Sequence, residues 1–382
     1  MTKAMFAFSA DPIHRGHIDI IKRAAALFEE VVVGIGVNPD KNCMFSLEER
    51  VEMAKKALQD IPNVKLTAYD GLTVDYAYEN NIPVIVKGVR SLNDFDYEMG
   101  IEDIQKSQNL GIETFPLFGR KELAHISSSS AKAVQKEHGL IHEYVPLHIK
   151  QKLEERISGQ YVIGVTGEIG SGKSYVSEKF EELGKQKGIK VYNLDLDKIA
   201  HEILEERKEP KYQEVRDNIA KTFGEEVKLP AGIINRKALG DIVFNDYSKL
   251  QKLNELMHTP ILVRFRRELY DKKGLILLNA ALIAEGGWGY LCNNNVVLVD
   301  VDKASQERRL KERKVEGKAL TVEQIQRRLG SQYNFAKKRE ELEEAISKDK
   351  YGKLWLIDNS DNSNPAEIEK TFDNVVKEMG VK

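Results

Sequence analysis

Several short stretches carry side chains that could handle phosphate groups. Gly167-x-x-x-x-Gly172-Lys173-Ser174, within "VIGVTGEIGSGKS" (162–174), is the pattern of a nucleotide phosphate loop. Its glycines let backbone N–H groups turn inward around phosphate oxygens. Lys173 would reach the outer phosphates, and Ser174 would bind Mg²⁺. Gly167, Gly170, Ser171, Gly172, Lys173, Ser174 and Tyr175 are therefore candidate ATP contacts. A second stretch, "SADPIHRGHIDI" (9–20), holds His14-x-Gly16-His17. Two histidines at a helix start can donate hydrogen bonds to an anion held by free backbone N–H groups. A metal pair, without an evident third ligand, and structural histidines are the other readings. Lys87, Gly88 and Arg90 follow an apolar run, with Glu98 eight residues past Arg90. "HISSSSAKAV" (125–134) sets Ser127, Ser128 and Ser129 within a run of four serines at a helix start. Hydroxyls and N–H groups would converge on phosphate there.

Two further groups stand near the phosphate loop in sequence. In "NLDLDKIAHEIL" (193–204), Asp195 and Asp197 alternate at a strand end, which would put both carboxylates on one face. One could orient Mg²⁺ and the other accept a proton from an attacking hydroxyl. A charged helix N-cap would use the same residues. Arg308, Arg309, Arg313, Arg327 and Arg328 suit a basic lid closing on a triphosphate, or a solvated helical face.

These groups need strand ends and helix starts to hold them. "KAMFAFS" (3–9), "VVVGIGV" (31–37), "VKLTA" (64–68), "PVIVKG" (83–88) and "IETFPLF" (112–118) read as strands, separated by amphipathic helical patterns. The helix in "SLEERVEMAKKAL" (46–58) opens with a capping box of Ser46 and Glu49. Alternation of this kind implies a parallel sheet covered on both faces. A last helix in 145–160 stops at Ser158-Gly159, and a new first strand starts at 161. The expected domains are 1–158 and 160–382. The second reads as strand 161–166, helix 173–187, strand 189–195, a helix-rich stretch to about 272, and strands 275–283, 295–301 and 353–359. Helices are expected at 303–314, 322–333, 335–347 and 365–379. The fold class is α/β twice over: a Rossmann-like domain with a parallel sheet, then a phosphate-loop domain with a parallel sheet and a helical lid.

Composition narrows the function classes. A net charge of −2 over 382 residues gives no field to attract nucleic acid or anionic membrane. Two cysteines cannot build a disulfide framework or a four-thiolate zinc site. No stretch approaches the ~20 apolar residues of a membrane span. The N-terminus lacks a signal-peptide pattern, so a cytoplasmic protein is expected.

"DPIHRGH", "MFSLEERV", "VKGVRSLNDFDYEM" and "ISSS", in this order and spacing, resemble bacterial phosphopantetheine adenylyltransferase over nearly all of 1–157. The resemblance implies transfer of AMP from ATP to 4′-phosphopantetheine, giving dephospho-coenzyme A and pyrophosphate. It implies that His17 stabilises the transition state. Ser9, Lys41, Thr73 and Lys87 match the pantetheine side. Ser9, Ala10, His17, Gly88, Val89, Arg90, Glu98 and Leu123 to Ser129 match the ATP side. Phe8 stands where the family commonly has glycine, and Lys87 where arginine is usual.

The second half is similar to dephospho-coenzyme A kinase over about 160–380, through "GVTGEIGSGKS", "LDLDKIAHEI", "GIINRKALGDIVF", "MHTPI", "LIAEGGW" and "LIDNS". That resemblance implies Asp197 as base, Lys173 as phosphate clamp, Asp195 on the substrate side, Arg313 on ATP and Mg²⁺ at Ser174. His201 stands where arginine is common. The implied partners are ATP, 4′-phosphopantetheine and dephospho-coenzyme A, without nucleic acid or membrane; the adenylyltransferase resemblance allows a homo-oligomer. The rival readings are a nicotinamide mononucleotide adenylyltransferase–ribosylnicotinamide kinase fusion, which "RSLNDFDYEM" and "DLDKIAHEI" fit poorly, and a nucleotide-binding regulator with one inactive domain.

Overall fold

The computed structural model describes residues 2–37, 42–312, 314–315, 318–319 and 321–381, with backbone only at 314–315, 318–319, 324 and 328. Lys41, Arg313 and the Arg328 side chain lie outside the described residues. The chain divides into two compact units, Met1–Leu153 and Glu154–Lys382. The helix expected over 145–160 is α-helical only at Leu147–Leu153 and widens to a π-type turn at Glu154–Ser158.

In the first unit the order is β1 (Lys3–Phe8), α1 (Arg15–Leu27), β2 (Glu30–Gly36), α2 (Leu47–Leu58), β3 (Val64–Tyr69), α3 (Thr73–Glu79), β4 (Val84–Val89), α4 (Leu92–Ser107), β5 (Glu113–Phe118), α5 (Ser128–Lys136) and α6 (Leu147–Leu153). The sheet runs β3-β2-β1-β4-β5, parallel throughout. Chain order reverses between β1 and β4, so a crevice opens at the carboxyl ends of these two strands. Helices cover both faces, which is why Val31–Ile35 is a nearly unbroken buried run. On one face Met5, Val32 and Ile85 pack with Val74, Ala77 and Ile82. The expected capping box of α2 is present, with Ser46 accepting from the Glu49 N–H and Glu49 from the Ser46 N–H.

In the second unit the order is β6 (Gln160–Gly167), α7 (Lys173–Lys187), β7 (Val191–Asp195), α8 (Leu196–Glu205), α9 (Pro210–Phe223), α10 (Arg236–Val243), α11 (Tyr247–Glu268), β8 (Gly274–Asn279), β9 (Asn295–Asp300), α12 (Lys303–Glu312), β10 (Lys314–Val315), β11 (Lys318–Ala319), α13 (Val322–Gly330), α14 (Phe335–Asp349), β12 (Lys353–Asp358) and α15 (Ala366–Met379). The parallel sheet runs β12-β9-β6-β8-β7, with the phosphate-loop strand β6 at its centre and buried along its whole length. Val176 and Phe180 of α7 and Phe372 and Val375 of α15 close one face, with the Phe180 and Phe372 rings edge-on at 5.2 Å.

Two expectations differ. The apolar run 275–283 leaves the sheet after Asn279, because Ala280–Ile283 turn to pack under β6 rather than extend β8. The helix expected over 303–314 ends at Glu312, and an antiparallel β10–β11 pair follows.

Candidate active sites

The first site sits at the strand reversal. A cavity of about 930 Å³ is lined by Ser9, His14, His17, Thr73, Lys87, Gly88, Arg90, Glu98, Leu123 and Ser127 to Ser129, among others. Residues from the ends of β1 and β4 and the start of α5, chosen from separate stretches of sequence, thus meet in one place. Ala10 and Val89 are buried in the flanking backbone and do not line it. Ala10 holds a left-handed φ of 52° as the chain leaves β1.

His14 is the N-cap of α1: its Nδ1 accepts from the His17 N–H at 3.4 Å. Its ring stacks on His17 with centroids 3.6 Å apart. Burial, and then the positive charge of Arg90, push His14 down to about 3, so it stays neutral. The Phe8 ring lies 4.4 Å from that of His17, tilted by 54°. The side chain that replaces the family's glycine is therefore a wall for the second histidine.

The cationic residues are already tied. Lys87 pairs with Glu98 at 2.8 Å, joining a residue matched to the pantetheine side with one matched to the ATP side. Arg90 donates from Nε to Asp94 at 2.9 Å and from Nη1 to the Ile126 carbonyl at 3.0 Å. This links the β4 end to the serine helix. Ser127 caps α5, accepting from the Ser130 N–H, and Ser128 Oγ donates to the Pro12 carbonyl at 2.8 Å. Thr73 Oγ1 meets the Tyr69 hydroxyl at 2.8 Å.

Three residues that sequence reasoning left without a role organise this site. Asp11 accepts from the Met44 and Phe45 N–H groups and pairs with Lys132 at 2.8 Å. Burial alone would raise its pKa, but these donors outweigh it and hold the carboxyl low. Arg50, buried on α2, donates to the carbonyls of Ser9 and Gly36 and so braces the ends of β1 and β2. The "EERV" stretch signalled a helix start, not a buried cation.

The second site is the phosphate loop between β6 and α7. Gly167, Gly170 and Gly172 have φ of 159°, 83° and 88°. Lys173 Nζ donates to the carbonyls of Gly167 and Glu168, each at 3.2 Å. Ser171 offers its carbonyl to Asn359 Nδ2 at 2.8 Å and to Arg309 Nη1 at 3.4 Å. Arg309 also donates to the Asn359 carbonyl at 2.6 Å and pairs with Asp361 at 2.9 Å. Arg308, in contrast, is half exposed and bound to Asp361 and Glu312. Arg327 is half exposed and lies 3.9 Å from Glu323. Tyr175 is exposed, with the Lys179 ammonium 5.7 Å from its ring centre.

The two aspartates do not share a strand face. β7 ends at Asp195, which caps α8 by accepting from the Lys198 N–H at 3.0 Å, and Asp197 lies in the first turn of α8. The helix begins one residue too early for alternation to continue, since Asp195 supplies the cap that starts it.

No group of three or more His, Cys, Asp or Glu side chains able to hold a metal occurs among the described residues. The donor set, one hydroxyl at Ser174 beside the clamp lysine, fits a Mg²⁺ held mostly by nucleotide oxygens and water.

The dephospho-CoA kinase family model matches residues 161–351, and the cytidylyltransferase-like model matches 6–163. The chain is 44% identical over 146 residues to a phosphopantetheine adenylyltransferase of Clostridium tetani, covering 38% of this chain and 91% of that one. It is 42% identical over 157 residues to that of Clostridium novyi, covering 41% and 98%, and 44% identical over 154 residues to that of Cutibacterium acnes, covering 40% and 98%. The chain belongs to the phosphopantetheine adenylyltransferases through its first sheet and to the dephospho-CoA kinase family through its second.

Proposed function

We propose that the protein catalyses the last two steps of coenzyme A synthesis. Adenylyl transfer from ATP to 4′-phosphopantetheine gives dephospho-coenzyme A and pyrophosphate. Phosphorylation of the ribose 3′-hydroxyl by a second ATP completes coenzyme A. The observation that carries this reading is the pair of separate phosphate-binding arrangements. Each lies at the carboxyl end of a central strand in its own sheet, and each falls within the matching family span.

The first step needs no general base, because a phosphate monoester with a second pKa of about 6 is already ionised at neutral pH. Its oxygen attacks the α-phosphorus, and the bond to the pyrophosphate oxygen breaks. His17, Arg90 and the N–H groups at the start of α5 neutralise the developing charge. Lys87 and Thr73 hold the acceptor. Neutral His14 keeps the start of α1 in place and adds no charge of its own.

The second step does need a base. The 3′-hydroxyl gives its proton to Asp197 as its oxygen bonds to the γ-phosphorus, and ADP leaves with Lys173 on its outer phosphate. Bound Mg²⁺ supplies charge neutralisation on the phosphates, with Ser174 as its protein ligand. Asp195 positions the start of α8, and through it Asp197.

Mass analysis of products from Mg-ATP and 4′-phosphopantetheine tests the assignment. His17→Ala is expected to abolish pyrophosphate release while phosphorylating supplied dephospho-coenzyme A at the wild-type rate. Lys173→Ala is expected to stop at dephospho-coenzyme A. Loss of both activities in both folded variants would reject the two-site reading.

A further inference from the structure

Glu168 is an acidic side chain inside a loop built to bind anions. It fills one of the four positions that the phosphate-loop pattern leaves open between Gly167 and Gly172. Its carboxylate is engaged by two other elements. Oε1 accepts from the Phe335 N–H, at the first residue of α14, and Oε2 accepts from Gln306 Nε2 of α12 at 3.0 Å. A first-turn N–H has no partner within its own helix, and the positive end of the helix favours an anion there.

Gln306 is buried and binds the loop twice. Its Nε2 also donates to the Ile169 carbonyl at 2.9 Å. Its stem packs against the loop: a Cβ on Gly170 would come within 3.2 Å of Gln306 Cγ and 3.1 Å of Leu310 Cγ. On the same helix, Arg309 donates to the Ser171 carbonyl. The Gly167 and Glu168 carbonyls accept from Lys173 Nζ, and the Glu168 carbonyl also accepts from the Ser171 N–H. The carbonyls of residues 167, 168, 169 and 171 are thus each held by a donor of the protein. Holding the carbonyls in this way fixes which way the peptide N–H groups of the loop point.

We propose that Glu168 is a positioning residue of the second site: its carboxylate, clasped by Gln306 and the start of α14, fixes the front of the phosphate loop so that its N–H groups meet the phosphates of ATP. The inference rests on reading this site as the ATP site of the kinase step. Lys173 gives up its two loop carbonyls when it turns to the outer phosphate, whereas the Glu168–Gln306 clasp has no second duty. A carboxylate in this loop also repels the triphosphate. The two donors and the positive end of α14 offset that charge. The two effects have opposite signs. Losing the clasp weakens ATP binding, and losing only a repulsive charge strengthens it.

The experiment measures Mg-ATP affinity at this site alone, in the full chain, as the concentration that half-protects the phosphate-loop amides from deuterium exchange. It compares wild type with Glu168→Ala, Gln306→Met and the double variant. Gln306→Met keeps the stem against Gly170 and removes both donors. Each single variant is expected to need about tenfold more ATP, the loss of a hydrogen bond to a charged group. The double variant is expected to need about tenfold more as well, not about a hundredfold, because both changes break one clasp. At saturating ATP, kcat for supplied dephospho-coenzyme A is expected to stay at the wild-type level, since the loop grips ground state and transition state alike. Unchanged affinity with a lowered unfolding temperature would make Glu168 a structural tie only and overturn the proposal. Tighter binding by Glu168→Ala, or additive losses in the double variant, overturns it too. If Glu168→Ala does not fold, Gln306→Met decides, and wild-type affinity in that variant overturns the proposal. The affinity is read without turnover, so a wild-type protein that binds ATP here but leaves dephospho-coenzyme A unphosphorylated overturns the functional assignment instead.

Discussion

His14 and His148 show how burial sets what a single residue can do. His14 is pushed down to about 3 by burial and Arg90, and His148 to about 4 by burial, against a hydrogen bond to the Met53 carbonyl that pulls it up. In the unfolded chain both take a proton as pH falls below about 6.5, while the folded chain refuses it until those lower values. Their contribution to stability is therefore complete above about 6.5 and declines as pH falls toward 4. The slope is up to about 1.4 kcal/mol per pH unit for each histidine. His148→Phe removes one of these protons. Urea unfolding followed by circular dichroism should show a smaller loss of stability between pH 7 and pH 5 than in the wild type, by up to about 2 kcal/mol. An equal loss in both proteins would contradict this account.

At the scale of elements, both sites use helix starts, but they cap them differently. α1 and α5 are capped by side chains, His14 and Ser127, which accept from the third-residue N–H groups of their helices, His17 and Ser130. α7 starts from Gly172 at φ 88°, with no side-chain cap. A Cβ there would strike Asn359 Nδ2, the group that holds the Ser171 carbonyl. The left-handed geometry alone costs an alanine about 1–2 kcal/mol. A shift of the loop by about an ångström is worth about a hundredfold in rate. Gly172→Ala should therefore lose phosphorylation by that order while adenylyl transfer stays at the wild-type level. Product analysis with each substrate supplied separately reads both, and a variant with normal kinase activity would refute the steric argument.

For the whole molecule, two sheets with separate chemistry imply that the halves need not share one chain to act in sequence. A mixture of His17→Ala and Lys173→Ala proteins should convert 4′-phosphopantetheine to coenzyme A, because each supplies the site the other lacks. Linkage changes only the local concentration of the intermediate. Labelled 4′-phosphopantetheine, chased with excess unlabelled dephospho-coenzyme A during wild-type turnover, should give coenzyme A with its label largely diluted. Coenzyme A that keeps the full label would mean that the intermediate stays on the protein. Among the described residues no helix is long and apolar enough to cross a membrane.

Local chemistry was legible where periodicity and spacing act over a few residues. The first-unit strands, the capping box at Ser46, the phosphate loop with its strand and helix, and the gathering of His17, Arg90 and Ser127 at strand ends could all be read along the chain. Each depends on neighbours within one turn or on the rule that parallel strands present their carboxyl ends together. Long-range partners could not be read in this way. Asp195 suited both a strand pair and a helix N-cap along the chain, and the start of α8 at Leu196 makes it the cap. Arg50, Asp11 and Lys338 are buried, and nothing local shows that a charge will be buried. Their partners lie from 14 to 121 residues away, at Gly36 and Ser9, at Lys132, and at Ala281 and Glu285. Which fragments form and which reactions they suit was written in residue type and spacing. Which charges are taken out of water, and which opposite charge compensates them, was decided only when the sheets closed and brought those distant groups together.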